Sequence, residues 1–281
     1  MDVGIGLPNT VPGATGEQIV EWARRAEACG FSTLGTVDRF AYANYEPIVA
    51  LSAAAAVTER IGLCTSVLLV PLRVNAAALA KQALSLQALS GGRFTLGVGI
   101  GGRETDYAMA GVGMGNRGAE IDAMLARMVE LWEGEEMGPD SPPPTLIVGG
   151  GVEASFERAA RFGSAGFIAG GLPPDQFAAA AEQVRAAWSA AGRDGSPRLS
   201  ALAYYSLGAD PEGDAEAYLG DYYAWLGAET AGYIVGAAAK DAETVRGYLD
   251  AFAGVGCDEL ILFPSNSDPG QVDALADTAG L

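Results

Sequence analysis

In Phe94-Thr95-Leu96-Gly97-Val98-Gly99-Ile100-Gly101, three glycines two residues apart run through an alternating apolar stretch. Alternate residues of an extended chain share a face, so Gly97, Gly99 and Gly101 leave that face as bare backbone. A flat, ring-shaped ligand approaches main chain closely only over such a floor. Gly149-Gly150-Gly151, with Glu153 just beyond, precedes an expected helix. Its backbone N–H groups and the positive helix end make either a phosphate seat or a plain strand-to-helix turn. Gly170-Gly171, one repeat later, adds weight to an anion site.

Groups able to move protons are few, because the chain contains no histidine. Ser-His-Asp and Cys-His mechanisms are therefore excluded. Asp38 and Arg39 are adjacent at an expected strand end. They form either a rim ion pair or a pocket carboxylate for acid/base work beside a cation. Arg103, Glu104 and Tyr107 follow the glycine floor, and Tyr107 is placed to cap a ring or donate to a phosphate. Arg73 either binds an anion or pairs with a surface acid. Cys64, inside an apolar run, reads as a buried filler rather than a nucleophile.

Strand-like apolar segments alternate with amphipathic helices along the whole chain. The expected strands are Val3–Leu7, Ser32–Val37, Ile61–Val70, Phe94–Gly99, Thr145–Val148, Gly166–Ala169, Leu199–Leu207 and Glu259–Phe263. Between them the periodicity predicts helices over Gly16–Cys29, Pro47–Thr58, Asn75–Leu89, Gly118–Trp132, Glu153–Phe162 and Pro174–Ala191, then an irregular helical stretch to Gly254. Glu133–Pro144, acidic and rich in Gly and Pro, reads as a surface linker. Eight strand–helix units without a composition break predict one α/β domain over residues 1–281, a (β/α)8 TIM barrel. An open doubly wound sheet is the rival, but it would carry its glycine fingerprint after the first strand, where Pro8-Asn9-Thr10 stands. In such barrels the chemistry lies at the strand C-termini.

The length of 281 residues suits a barrel, which runs to roughly 250 residues. With 17 Lys+Arg against 35 Asp+Glu, the net charge of −18 lacks the clustered cations that nucleic acids require. Three scattered cysteines give neither a disulfide framework nor a zinc motif. The chain shows no secretory pattern and no apolar run of about 18 residues, so the expected location is cytoplasmic, with no membrane partner.

Several stretches together resemble the luciferase-like flavin oxidoreductases. They are Thr58-Glu59-Arg60-Ile61-Gly62-Leu63, the run from Leu79 to Gly101 around Ser90-Gly91-Gly92-Arg93-Phe94, Ile147-Val148-Gly149-Gly150, and the closing Gly256-Cys257-Asp258-Glu259-Leu260-Ile261-Leu262-Phe263-Pro264. The resemblance implies a barrel holding FMN or the deazaflavin F420 at the strand C-termini. It also implies a non-proline cis peptide in a bulge of the third strand, at Thr65-Ser66-Val67-Leu68. The resemblance and the glycine runs above together give Ser66, Val67, Gly99, Gly101, Gly149, Gly150, Gly151 and Gly170 as cofactor-binding candidates, with Asp38 and Tyr107 as catalytic candidates.

The activity expected from this resemblance is a monooxygenase that uses reduced FMN and O2 on a small organic substrate. A separate flavin reductase would supply the reduced FMN. F420-dependent hydride transfer is the alternative. A non-catalytic flavin-binding barrel is a second class, favoured by the absence of histidine. A lyase or isomerase of a phosphorylated metabolite is a third, and it lacks a lysine at a strand end. Relatives imply a homodimer, for which the apolar faces of the second and third helices are candidates.

Overall fold

Nine parallel strand segments form one ring in the computed structural model of the chain, which describes residues 1–134 and 136–281. They are β1 (Asp2–Gly6), β2 (Thr33–Thr36), β3 (Gly62–Thr65), β4 (Leu68–Leu69), β5 (Phe94–Gly99), β6 (Thr145–Gly149), β7 (Gly166–Gly170), β8 (Arg198–Tyr205) and β9 (Glu259–Pro264). Their order is β3-β2-β1-β9-β8-β7-β6-β5-β4, and β3 pairs with β5 to close the ring. The (β/α)8 barrel expected from the alternation is therefore present, with β3 and β4 as two pieces of one stave.

The break in that stave departs from the continuous Ile61–Val70 strand expected above. Cys64 pairs with Thr95 and Leu68 pairs with Val98, so four steps on one strand oppose three on the other. The extra residue makes a bulge, and the Ser66–Val67 peptide within it is cis. The apolar run does not announce this, because Val67 remains apolar whichever way the chain turns.

Two cores hold the barrel. Outward-facing strand residues such as Leu34, Leu63, Leu96 and Phe167 pack against the helices. Those helices are α1 (Gly16–Cys29), α2 (Pro47–Ala55), α3 (Ala76–Leu89), α4 (Glu104–Ala110), α5 (Arg117–Glu133), α6 (Glu153–Phe162) and α7 (Pro174–Ala190). After β8 come α8 (Pro211–Ala215), a π-helical turn over Glu216–Gly220, α9 (Asp221–Tyr223), α10 (Ala228–Gly236) and α11 (Ala242–Gly254), and α12 (Gly270–Ala279) closes the chain. Inside the barrel, Cys64, Ile147, Ile168, Ile261 and Phe263 form a second cluster. Phe263 fills the centre, and a Cβ at Gly6 would overlap its ring.

Local signals explain the well-placed ends. Thr15 caps α1 by accepting from the Gln18 N–H at 3.2 Å, and Gly30 closes the helix at φ 90°. Gly91 and Gly92 turn the chain from α3 into β5 at φ 66° and 89°. Arg93 then donates to the carbonyls of Ser90, Ile61 and Thr58, tying three elements together at the bottom of the barrel. Between β5 and the expected helix over Gly118–Trp132 lies a further short helix, α4, whose apolar side is too short to register as periodicity. Part of the expected Glu133–Pro144 linker, residue 135, lies outside the described residues. Among the described residues, no helix is long and apolar enough to cross a membrane.

Candidate active site

The bulge between β3 and β4 sets the floor at the C-terminal mouth. It drives the Val67 side chain towards β5 and β6, where glycines receive it. A Cβ at Gly99 would lie 2.5 Å from Val67 Cγ2, and one at Gly149 would lie 2.7 Å from Val67 Cγ1. Gly97 is constrained for a similar reason, since its Cβ would collide with the Thr65 carbonyl. The glycine spacing thus serves first to seat the bulge, and the seated Val67 becomes the centre of the floor.

Three adjoining cavities share Val67 as a wall, with volumes of about 450, 220 and 410 Å³. The 220 Å³ cavity lies over the floor and is bounded by Ser66, Val67, Gly149, Gly150, Gly151 and Gly170. Gly99 and Gly101 border the 410 Å³ cavity. All eight residues named for a cofactor are therefore brought together around one depression.

The 410 Å³ cavity has two cations, Arg117 at the start of α5 and Arg158 in α6, and no carboxylate among its described lining residues. Arg158 is 6 % exposed and donates from Nε to Asp122 Oδ1 at 2.6 Å. Gly150 is compact here because a Cβ would overlap Ser155, whose hydroxyl accepts from the Val152 N–H at 3.1 Å and braces the start of α6. Arg117 and Arg158 were not anticipated. The signal for Arg158 was a lone arginine on the Phe156–Ala159–Ala160 face that α6 buries.

The 450 Å³ cavity is different in kind. Tyr204, Tyr222, Tyr223, Trp225 and Tyr233 line it, with Asp38, Arg39, Arg103 and Asp106 at its edge. Asp106, its side chain 1 % exposed, receives Arg39 Nε at 3.1 Å and Arg103 Nη1 at 3.4 Å. It also accepts from the Phe40 and Ala41 N–H groups. Both arginines then donate to the Tyr222 carbonyl, at 3.3 and 2.5 Å, and lie over its ring at 5.1 and 5.0 Å. Thr10 and Tyr42 add hydrogen bonds to Tyr218 and Asp221. The segment after β8 is thereby clamped over the mouth as a lid. Asp106 lay beyond sequence reasoning because α4 is too short to show a period, and the lid tyrosines because irregular helix gives none from which to read a facing side.

Asp38 stands at the cavity edge but is committed to structure. Its Oδ2 accepts from the Leu69 N–H at 2.8 Å and from Arg73 Nη2 at 2.6 Å, holding β4 where it leaves the bulge. Burial pushes its pKa up, while Arg73 and the Leu69 N–H pull it down. Its partner is thus Arg73 rather than the adjacent Arg39. Arg73 pairs with this buried acid and with Glu46 at 3.3 Å. Tyr107, expected to cap a ring or meet a phosphate, is 2 % exposed and donates to the Ile100 carbonyl at 2.7 Å. It stands behind the rim and is not among the residues lining the cavities. Cys64 is buried, and burial raises its thiol to about 12, as suits a filler. No cluster able to hold a metal ion occurs among the described residues.

A TIM barrel with a bulged third stave, a cis peptide at its mouth and a glycine-seated floor defines the class. The pattern of the luciferase-like monooxygenases matches residues 1–259, and the chain belongs to that family. It is 35 % identical over 175 residues to the uncharacterized protein Rv0953c of Mycobacterium tuberculosis, covering 56 % of this chain and 61 % of the relative. The match thus spans about three-fifths of that relative's length. An F420-dependent secondary alcohol dehydrogenase, in complex with an F420–acetone adduct, superposes with a TM-score of 0.83 at 17 % identity, over 99 % of this chain and 97 % of that one. The oxygenating constituent of 3,6-diketocamphane monooxygenase from Pseudomonas putida, in complex with FMN, gives 0.76 at 19 % identity, over 98 % and 96 %. At these identities the superpositions establish the shared fold. The family is one of monooxygenases by its description, and of these two neighbours one carries F420 and the other FMN.

Proposed function

We propose that the chain is a flavin-dependent oxidoreductase, most closely a monooxygenase using reduced FMN and O2 on a small organic substrate. The observation that carries this reading is Val67, seated between Gly99 and Gly149 with a cationic cavity on one side and an aromatic one on the other. The donor set fits FMN: a flat floor for the ring, and Arg117, Arg158 and the α6 amides for its phosphate. When bound, the cofactor supplies the redox chemistry, oxygen activation with reduced FMN or hydride exchange with F420. Hydride exchange is the second reading, favoured by the fold shared with the F420-dependent alcohol dehydrogenase.

The chain's own residues position and exclude water. Asp38 braces β4 beneath the ring, a positioning role, and Tyr107 fixes the Ile100 carbonyl and with it the Gly99–Gly101 rim. The lid clamped by Arg39, Arg103 and Asp106 closes the aromatic cavity. The same reading includes a separate flavin reductase, a cytoplasmic setting and a homodimer. For the homodimer, Val49 and Leu89 on α2 and α3 remain 64 % and 75 % exposed.

Oxygen uptake with reduced FMN, set against bleaching of F420 absorbance, tests the proposal over a panel of small ketones, alcohols and phenols. Uptake that depends on substrate supports the monooxygenase. Substrate-driven change in F420 absorbance supports the second reading, and turnover with neither cofactor refutes both.

A further inference from the structure

The hydroxyl groups of Tyr204, on β8, and Tyr223, on α9, share a hydrogen bond of 2.7 Å, and burial gives it a direction. Tyr204 is 6 % exposed, and its hydroxyl has no other hydrogen-bond partner among the described residues. Tyr204 is the more buried of the two, so keeping its proton in the shared bond avoids the costlier unpaired donor. Tyr204 therefore donates and Tyr223 accepts. The Tyr223 proton is left over, on a half-buried residue that lines the 450 Å³ cavity.

The walls around that donor select what it meets. Tyr222 lies 4.9 Å from Tyr223 between ring centroids, at an interplanar angle of 73°, and Tyr204 lies at 6.0 Å and 74°. Trp225 and Tyr233 extend the same wall outward, 45 % and 62 % exposed. Edges and faces presented in this way favour another aromatic ring over a saturated one of equal size. A cationic guest finds no free counter-charge, because Asp38 is held by Arg73 and Asp106 by Arg39 and Arg103. Asp38 Oδ1 and Arg103 Nε stay without hydrogen-bond partners but are buried within these ion pairs, so the donor turned to the cavity is the Tyr223 hydroxyl.

We propose that this cavity takes an uncharged aromatic compound bearing a carbonyl or hydroxyl oxygen. Tyr223 donates its hydrogen bond to that oxygen, while Tyr204 holds the Tyr223 hydroxyl in position. The inference deepens the oxidoreductase reading, and rests on it for assigning this cavity to substrate rather than cofactor.

Calorimetric titration of the full chain with 2-naphthol, naphthalene and 2-decalol, with and without FMN, tests it. The expected result is binding of 2-naphthol, with naphthalene and 2-decalol each at least tenfold weaker. Tyr223→Phe weakens 2-naphthol about tenfold, leaves naphthalene within twofold, and leaves FMN binding unchanged. Tyr204→Phe gives a smaller loss for 2-naphthol alone, and melting curves confirm that both variants fold. Equal binding of 2-decalol, no binding of 2-naphthol, or a Tyr223→Phe variant indistinguishable from wild type overturns the inference. Absence of FMN and F420 binding with the naphthol pattern intact overturns the cofactor reading instead, so the two failures are distinct.

Discussion

The two large cavities flanking Val67 are built by opposite means. The one beside β5 and β6 is lined by glycines, by small or aliphatic side chains such as Leu69, Ile100 and Val152, and by two arginines on regular helices. The one beside β8 is made of tyrosine and tryptophan side chains on a short, irregular lid held by buried ion pairs. Main chain carries a fixed pattern of donors, so the first suits an invariant part such as a cofactor phosphate. Packed side chains are replaceable one at a time, so the second suits the variable partner.

Filling the glycine floor breaks the comparison most severely. Gly149→Ala places a Cβ against Val67 and pushes that side chain into the space the proposal gives to the ring. FMN and F420 affinity should fall by about a hundredfold or more, equivalent to about 3 kcal/mol. Overpacking of this type also costs about 1–3 kcal/mol in stability, measurable in thermal melts.

Asp106→Asn comes next and should separate the two sides. It leaves Arg39 and Arg103 buried without their carboxylate, which costs about 3 kcal/mol. The lid should loosen, with faster protease cleavage near residues 210–227, while FMN affinity stays within about threefold because Arg117 and Arg158 are untouched.

The legibility of the molecule divides along the same line. The strand–helix alternation, the ends of α1, β5 and α6, and the glycines of the floor were readable, because period and backbone conformation are local properties. The Ser90-Gly91-Gly92-Arg93 stretch carried the family resemblance, yet it works at the far end of the barrel. There, Arg93 satisfies carbonyls from three elements. The bulge was legible only through the resemblance, since Thr65–Leu68 reads as ordinary strand. Asp106 acquires meaning only when Arg39, 67 positions away, reaches it, and Tyr222 only when Arg103, 119 positions away, reaches its carbonyl. Asp38 and Tyr107 were recognisable as unusual polar groups near strand ends, but their partners, Arg73 with Leu69 and Ile100, depend on tertiary packing.

A smaller effect lies in the scaffold below both cavities. Glu27 on α1 is pushed up by burial, but accepts from the N–H groups of Arg60, Ile61 and Glu59, and the net result holds its pKa below the usual 4.5. Its contribution is complete above that value and is lost as pH falls through the lowered folded-state pKa. Glu27→Gln should cost about 1 kcal/mol at pH 7 and flatten the acid limb of stability against pH, with no difference at the lowest pH. Smallest of all is the thiol signature. Cys64 and Cys257, both raised to about 12 by burial, should not react with a thiol reagent at pH 8 until the chain unfolds.

The central claim is that a flavin lies over Val67 with its phosphate held between Arg117 and Arg158. Parallel titrations of FMN and riboflavin into the wild-type chain and Arg117→Ala test it most directly. The account predicts that wild type prefers FMN by at least tenfold, and that the variant loses this preference while binding riboflavin unchanged. Equal affinity of wild type for the two flavins, or a preference that survives in Arg117→Ala, would contradict it.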